Sequence, residues 1–143
     1  MLLTFSKPKF ERLIREEVKI HTIREDKGNR WKVGTKIHFW LGNPRNVNAK
    51  VPPKPFGVGY VSEIKEIEFH WWKPEHPNLF TNPMDDLKNG RYCDVYIDGQ
   101  VLNIEQLHHL AISDGFNDRL DFFNFFNKDF KGKIIFWKDC TWL

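Results

Sequence analysis

From Phe56 to Trp72 apolar and polar residues alternate, and Val58, Tyr60, Ile64 and Ile67 supply β propensity, which predicts a long strand or a hairpin. A sheet is therefore the frame that the rest of the chain must complete. Leu2 to Phe5 reads as a short buried strand stopped by Pro8, Val18 to Arg24 as a β-branched alternating strand, and Thr35 to Leu41 as another. Between the last two, Asp26, Gly28 and Asn29 form a turn cluster. Arg91 to Ile97 adds a strand closed by the turn pair Asp98-Gly99, and Ile134 to Trp137 a closing strand after Gly132. Helical spacing is confined to three places. Phe10, Leu13 and Ile14 mark a helix from about Lys9 to Glu17, Leu107 and Leu110 one from Ile104 to Ser113, and Leu120, Phe123 and Phe126 a third capped by Asn117 or Asp118. Strands with helices near the two ends give the α+β class.

The 143 residues are the size of one domain able to bury its own core. Residues 43–90 read as an irregular insertion in that domain, because Pro44, Pro52, Pro53 and Pro55 punctuate its start and Lys73 to Gly90 is rich in Pro and Asn. With 41% apolar and 29% charged residues the chain is neither disordered nor lipid-soluble. Cys93 and Cys140 lack CxxC spacing, and MLLTF is too short for a signal segment, so a reducing cytoplasmic setting without membrane contact is expected. A net charge of +3 permits a nucleic-acid partner without demanding one. The aromatic share of 15% exceeds what a small core needs and leaves rings for stacking on flat ligands.

No Gly-rich phosphate loop, GxSxG elbow or Rossmann fingerprint occurs, so no cofactor is expected. His108 and His109 are adjacent and point about 100° apart on a helix, while His70, His76 and Cys93 lack ligand spacing, so no metal is expected either. Trp71 and Trp72 send one ring to each face of a strand and, with Lys73 and His76, offer a stacking platform.

Three features taken in order resemble the ASCH superfamily. They are Lys19 to Asp26 (KIHTIRED), the step from Trp31 to Gly34 into a strand, and Ser113-Asp114-Gly115-Phe116 followed by an aromatic helix and the Ile134-Ile135-Phe136-Trp137 strand. Their order covers nearly the whole chain; the 43–90 span departs from the compact pattern. The resemblance implies a small PUA-like mixed β-barrel flanked by helices, with a cleft facing RNA or nucleotides. Some bacterial members are amidohydrolases acting on N4-acetylcytidine through a Lys, a Thr three residues on and a later Glu. Lys19 and Thr22 match the first two; the third place is taken by Asp114, one methylene shorter, which weakens the hydrolase implication.

Thr22 becomes a nucleophile only beside a base, and Lys19 can be that base if burial or a neighbouring cation, Arg24 or His21, lowers its pKa. A regular strand sends Lys19 and Thr22 to opposite faces, so Lys19 joins the site only from before the strand or at a bulge. The blander alternative makes Lys19 a solvated charge, Thr22 a strand residue and Asp114 part of a turn. Arg24 offers a planar donor fork for phosphate or a base edge, and it pairs with Thr22 on one face. His21, Arg30 and Arg45 are further ligand-binding candidates, as is Trp31, which otherwise lids one end of the core. The leading expectation is RNA or nucleotide binding around KIHTIRED. A nucleoside amidohydrolase or ribonuclease using Lys19, Thr22 and Asp114 comes second, and a protein-interaction domain presenting Asn43 to Gly90 third.

Overall fold

A computed structural model describes residues 1–73 and 91–143. The elements run β1 (Leu2–Phe5), α1 (Pro8–Arg15), β2 (His21–Arg24), β3 (Lys36–Leu41), β4 (Lys54–Trp72), β5 (Tyr92–Ile97), β6 (Gln100–Val101), α2 (Ile104–Ser113), α3 (Arg119–Phe125) and β7 (Phe130–Trp142). This is the expected mixture of α and β, mostly sheet.

β4 organises everything. β3 pairs with its first part and β5 with its last, both antiparallel and on one edge, while β7 runs antiparallel along the other edge from Gly57 to Phe69. That long partner is why the closing strand extends well beyond Ile134 to Trp137. β1 adds parallel to β3, and β2 pairs antiparallel with β7 through His21↔Phe136 and Thr22↔Ile135. One path through the sheet is therefore β1-β3-β4-β7-β2. Its two outer strands are not paired with each other, so among the described residues the sheet is not closed into a barrel.

Because β4 spans 54–72, residues 43–90 are not one irregular insertion. The described irregular part is 43–53, and residues 74–90, with His76 of the expected stacking platform, lie outside the described residues.

Two apolar clusters flank the sheet. α2 and α3 pack Leu107, Leu110, Phe122 and Phe123 against Phe69, Val95 and Ile134. On the other side Leu3, Ile14, Trp31, Ile37, Phe39, Phe56 and Ile135 form the second cluster. Adjacent Ile134 and Ile135 serve opposite clusters, as period-two alternation requires of a strand buried on both faces.

Local chemistry fixes the starts of two helices. Asn103 and Gln106 form a reciprocal capping box at the start of α2, and the Asp118 side chain accepts from Asp121 N at the start of α3. No described helix is long and apolar enough to cross a membrane.

Candidate functional site

β2 is shorter than expected, and the reason places the site. The amides of Val18 and Lys19 both donate to Leu13 O, closing the end of α1, with Glu17 in the left-handed region at φ 61°. Those amides are spent on the helix end, so strand pairing begins only at His21. Lys19 thus lies before the strand, the condition under which its side chain can join that of Thr22.

Its ammonium is buried and fully engaged. Lys19 Nζ donates to His21 O at 2.8 Å, to Asp114 O at 2.5 Å and to Asp114 Oδ1 at 3.1 Å. The rings of Phe10 and Phe5 lie 5.0 and 5.7 Å from the same nitrogen. Burial pushes the Lys19 pKa down, Asp114 opposes this by charge and hydrogen bond, and Arg24 adds to the lowering. The three protons of an ammonium match the three acceptors. A neutral amine would turn its lone pair onto one of those oxygens, so this geometry is that of a cation rather than of a waiting base.

Asp114 is both a turn residue and a buried carboxylate. It caps α2 in the αR conformation ahead of Gly115 at φ 96°, and it is 2% exposed. Oδ1 receives Lys19 and also meets His21 Nδ1 at 3.0 Å, while His21 Nε2 meets Ser113 Oγ at 2.8 Å. Ser113, His21 and Asp114 therefore share the connectivity of a serine-hydrolase triad. Ser113 does not, however, line the cavity described below, and its hydroxyl is also within 3.2 Å of Leu110 O. Here the histidine orients the carboxylate.

Arg24 bridges the two outer strands. From β2, Nε donates to Thr22 Oγ1 at 3.2 Å and Nη2 to Thr4 O of β1 at 2.7 Å, and the guanidinium lies 5.1 Å from the Phe5 ring. Thr22 and Arg24 share one face of β2, as spacing of two predicts. Burial lowers the Arg24 pKa and Asp114 works against that, yet a guanidinium stays charged at neutral pH.

Between β1 and β2 opens a cavity of about 250 Å³ whose polar floor includes Lys19, Thr22, Arg24 and Asp114. Its apolar walls include Phe5, Phe10, Phe116 and Phe130, and Phe125, 61% exposed, stands among the lining residues. Among the described residues no donor reaches the second Asp114 oxygen, Oδ2. The volume falls just below the roughly 300–1,000 Å³ of clefts that enclose drug-sized ligands, so the enclosed part of a guest is small.

The other expected site residues are elsewhere. Trp31 is 7% exposed in the core cluster around Phe39, not in the cavity wall, and its backbone amide donates to Asp26 Oδ2 at 3.0 Å. Arg30 is exposed with its guanidinium at Met1 Sδ, and Arg45 is exposed in the turn after Gly42. His21 stands behind Asp114 rather than in the lining. Helical spacing singles out Phe123 and Phe126, both buried, but does not separate Phe122, which is buried as well, from Phe125, which is exposed at the cavity; only packing does.

A second buried pair has no sequence signature either. Lys133 of β7 donates to Asp26 Oδ2 at 3.0 Å and to Asn29 Oδ1, pinning the loop between β2 and β3. Among the described residues no cluster of three or more His, Cys, Asp or Glu is placed to hold a metal ion. No family model, curated protein or solved structure matches the chain.

Proposed function

We propose that this chain is an RNA- or nucleotide-binding domain of the ASCH type with a PUA-like fold, and that a single base or nucleotide enters the cavity between β1 and β2. The carrying observation is that Arg24, Thr22 and Asp114 line one small aromatic-walled cavity. A base offers flat faces to the phenylalanines and a donor–acceptor edge to the polar floor. Asp114 Oδ2 is suited to accept from a ring or exocyclic N–H, and Thr22 and the Arg24 fork to contact carbonyl or phosphate oxygens. The saturated ammonium of Lys19 neutralises the buried carboxylate and holds it in place. Fluorescence anisotropy of labelled single-stranded RNA at low salt tests this: salt-dependent binding is expected, and no binding at high micromolar protein would end the proposal.

A second possibility draws on the convergence of Lys19, Thr22 and Asp114 on that cavity: hydrolysis of an N-acylated nucleoside, with Thr22 as nucleophile. It ranks lower because Lys19 is hydrogen-bonded as an ammonium and Thr22 Oγ1 accepts from Arg24 rather than facing a free base. Incubation with N4-acetylcytidine followed by chromatography decides it, since unchanged substrate removes the amidohydrolase.

A further inference from the structure

Lys19 lines two cavities. One is the cavity between β1 and β2; the other, of about 310 Å³, lies between the end of α1 and the last part of β7, and the two have no other lining residue in common.

The second cavity begins with an irregularity in β7. Val58 pairs with Thr141 and Tyr60 with Lys138, so Gly59 alone faces both Asp139 and Cys140, and Asp139 takes the left-handed region at φ 52°. The extra residue shifts the alternation. Trp137 and Trp142 therefore pack against the same apolar cluster, with Cys140 between them. β4 leaves room for these side chains: a Cβ on Gly57 would run into the Trp142 ring, and one on Gly59 would lie 2.8 Å from Cys140 Sγ. Both indoles rest against Phe39, with centroids 5.1 and 5.4 Å away, and stay half-buried where they line the cavity. Ile14, Glu17 and Ile20, where the chain leaves α1, form the facing wall.

The charge of this lining is negative. Glu17 and Asp139 are in no ion pair among the described residues. Burial, then Asp139, then Glu17 push the Cys140 thiol up to about 11, so both carboxylates act on one point of the wall and the thiol there stays neutral. Of the two lining lysines, Lys19 spends its ammonium on Asp114 and His21 O, and alternation sends the Lys138 side chain to the face opposite Trp137. The C-terminal end of α1 adds its own partial negative charge. An anion is thereby disfavoured. Among the described residues no three His, Cys, Asp or Glu are placed to hold a metal ion, and the indoles and isoleucines call for a guest with an apolar surface. A quaternary ammonium ion meets both demands, with methyl groups for the rings and a diffuse, weakly hydrated charge for the carboxylates.

We infer that the cavity between α1 and β7 binds a small quaternary ammonium ion, held by Trp137 and Trp142 with Glu17 and Asp139 supplying the counter-charge. This site is separate from the one proposed for a base and stands or falls without it.

The test titrates the 15N-labelled chain with choline and, in parallel, with 3,3-dimethylbutan-1-ol, which has the same shape without the charge, while sodium chloride holds the ionic strength constant. The signals followed are the indole Nε1–H of Trp137 and Trp142 and the amide of Cys140. Saturable shifts with choline are expected, with the alcohol about tenfold weaker or more. Glu17→Gln and Asp139→Asn should each weaken choline by about two- to fivefold, the range for one exposed charge, and leave the alcohol unchanged. Both exchanges keep the side chain's size on an exposed residue, so they remain informative where a tryptophan variant fails to fold. Choline that binds no more tightly than the alcohol, or equally well to wild type and both carboxylate variants, would overturn the inference. So would choline that leaves the three signals unshifted at its highest soluble concentration.

Discussion

Lys19 Nζ and Asp114 Oδ1 lie 3.1 Å apart with both side chains 3% exposed, joining the end of α1 to the end of α2 across the back of the cavity. Removing one partner of such a pair leaves an uncompensated charge, which typically costs about 3–5 kcal/mol. Lys19→Met and Asp114→Asn are each expected to lower unfolding free energy in urea by about that amount. The double variant should cost clearly less than their sum, because neither group is then stranded. Strict additivity would show that the two are not energetically coupled.

Gly115 has φ +96°, and a Cβ there would lie 3.0 Å from Lys19 Cδ and 3.0 Å from the Phe10 ring. Gly115→Ala strains the backbone and pushes on the groups that floor and wall the site. A destabilisation of about 1–3 kcal/mol is expected, with weaker ligand binding, measured by thermal melts and anisotropy.

Phe125 lines the cavity while 61% exposed, so stability and binding should separate there. Phe125→Ala is expected to change unfolding free energy by no more than about 0.5 kcal/mol. It should weaken nucleotide binding by about 1–3 kcal/mol, the range for removing one ring on which a base stacks.

Asp26 supplies a pH dependence. Burial disfavours its charge, but the amides of Arg30 and Trp31 and the Lys133 ammonium outweigh that and hold its pKa below the ordinary 3.8. Between the folded value and 3.8 the unfolded chain binds more protons than the folded one. The contribution is therefore present in full above about pH 4 and lost as pH falls through the folded value. Asp26→Asn should be less stable than wild type at neutral pH, with the gap narrowing on acidification below 3.8. In urea titrations run across the acid range, a gap that stays constant down to about pH 2 would contradict this coupling.

Much of the fold is legible in the sequence. The Ile104–Ser113 helix and the Asp98-Gly99 hairpin have local causes, a capping box and a turn with both residues at positive φ, and both lie where local chemistry places them. The Thr22–Arg24 pairing follows from alternation alone. Lys19 is readable only as a condition, since its position depends on the left-handed Glu17 and on both following amides turning back to Leu13. The link from Lys19 and His21 to Asp114 spans more than ninety residues and has no local signature. Trp31 takes the core role, its alternative reading, and Phe125, which spacing does not single out, is left exposed at the cavity; tertiary packing decides both.

The central claim is that the cavity between β1 and β2 seats a base or nucleotide against Arg24. The most direct measurement is an NMR titration of 15N-labelled protein with each common ribonucleoside 5′-monophosphate at low salt, following the Arg24 Nε–H and the amides of Thr22 and Gly115. Saturable shifts at those positions for at least one nucleotide, with the Thr22 and Gly115 amide shifts abolished in Arg24→Lys because a lysine lacks the planar fork that reaches both Thr22 Oγ1 and Thr4 O, are the predicted result. Unshifted resonances around the cavity with every nucleotide at millimolar concentration would contradict it.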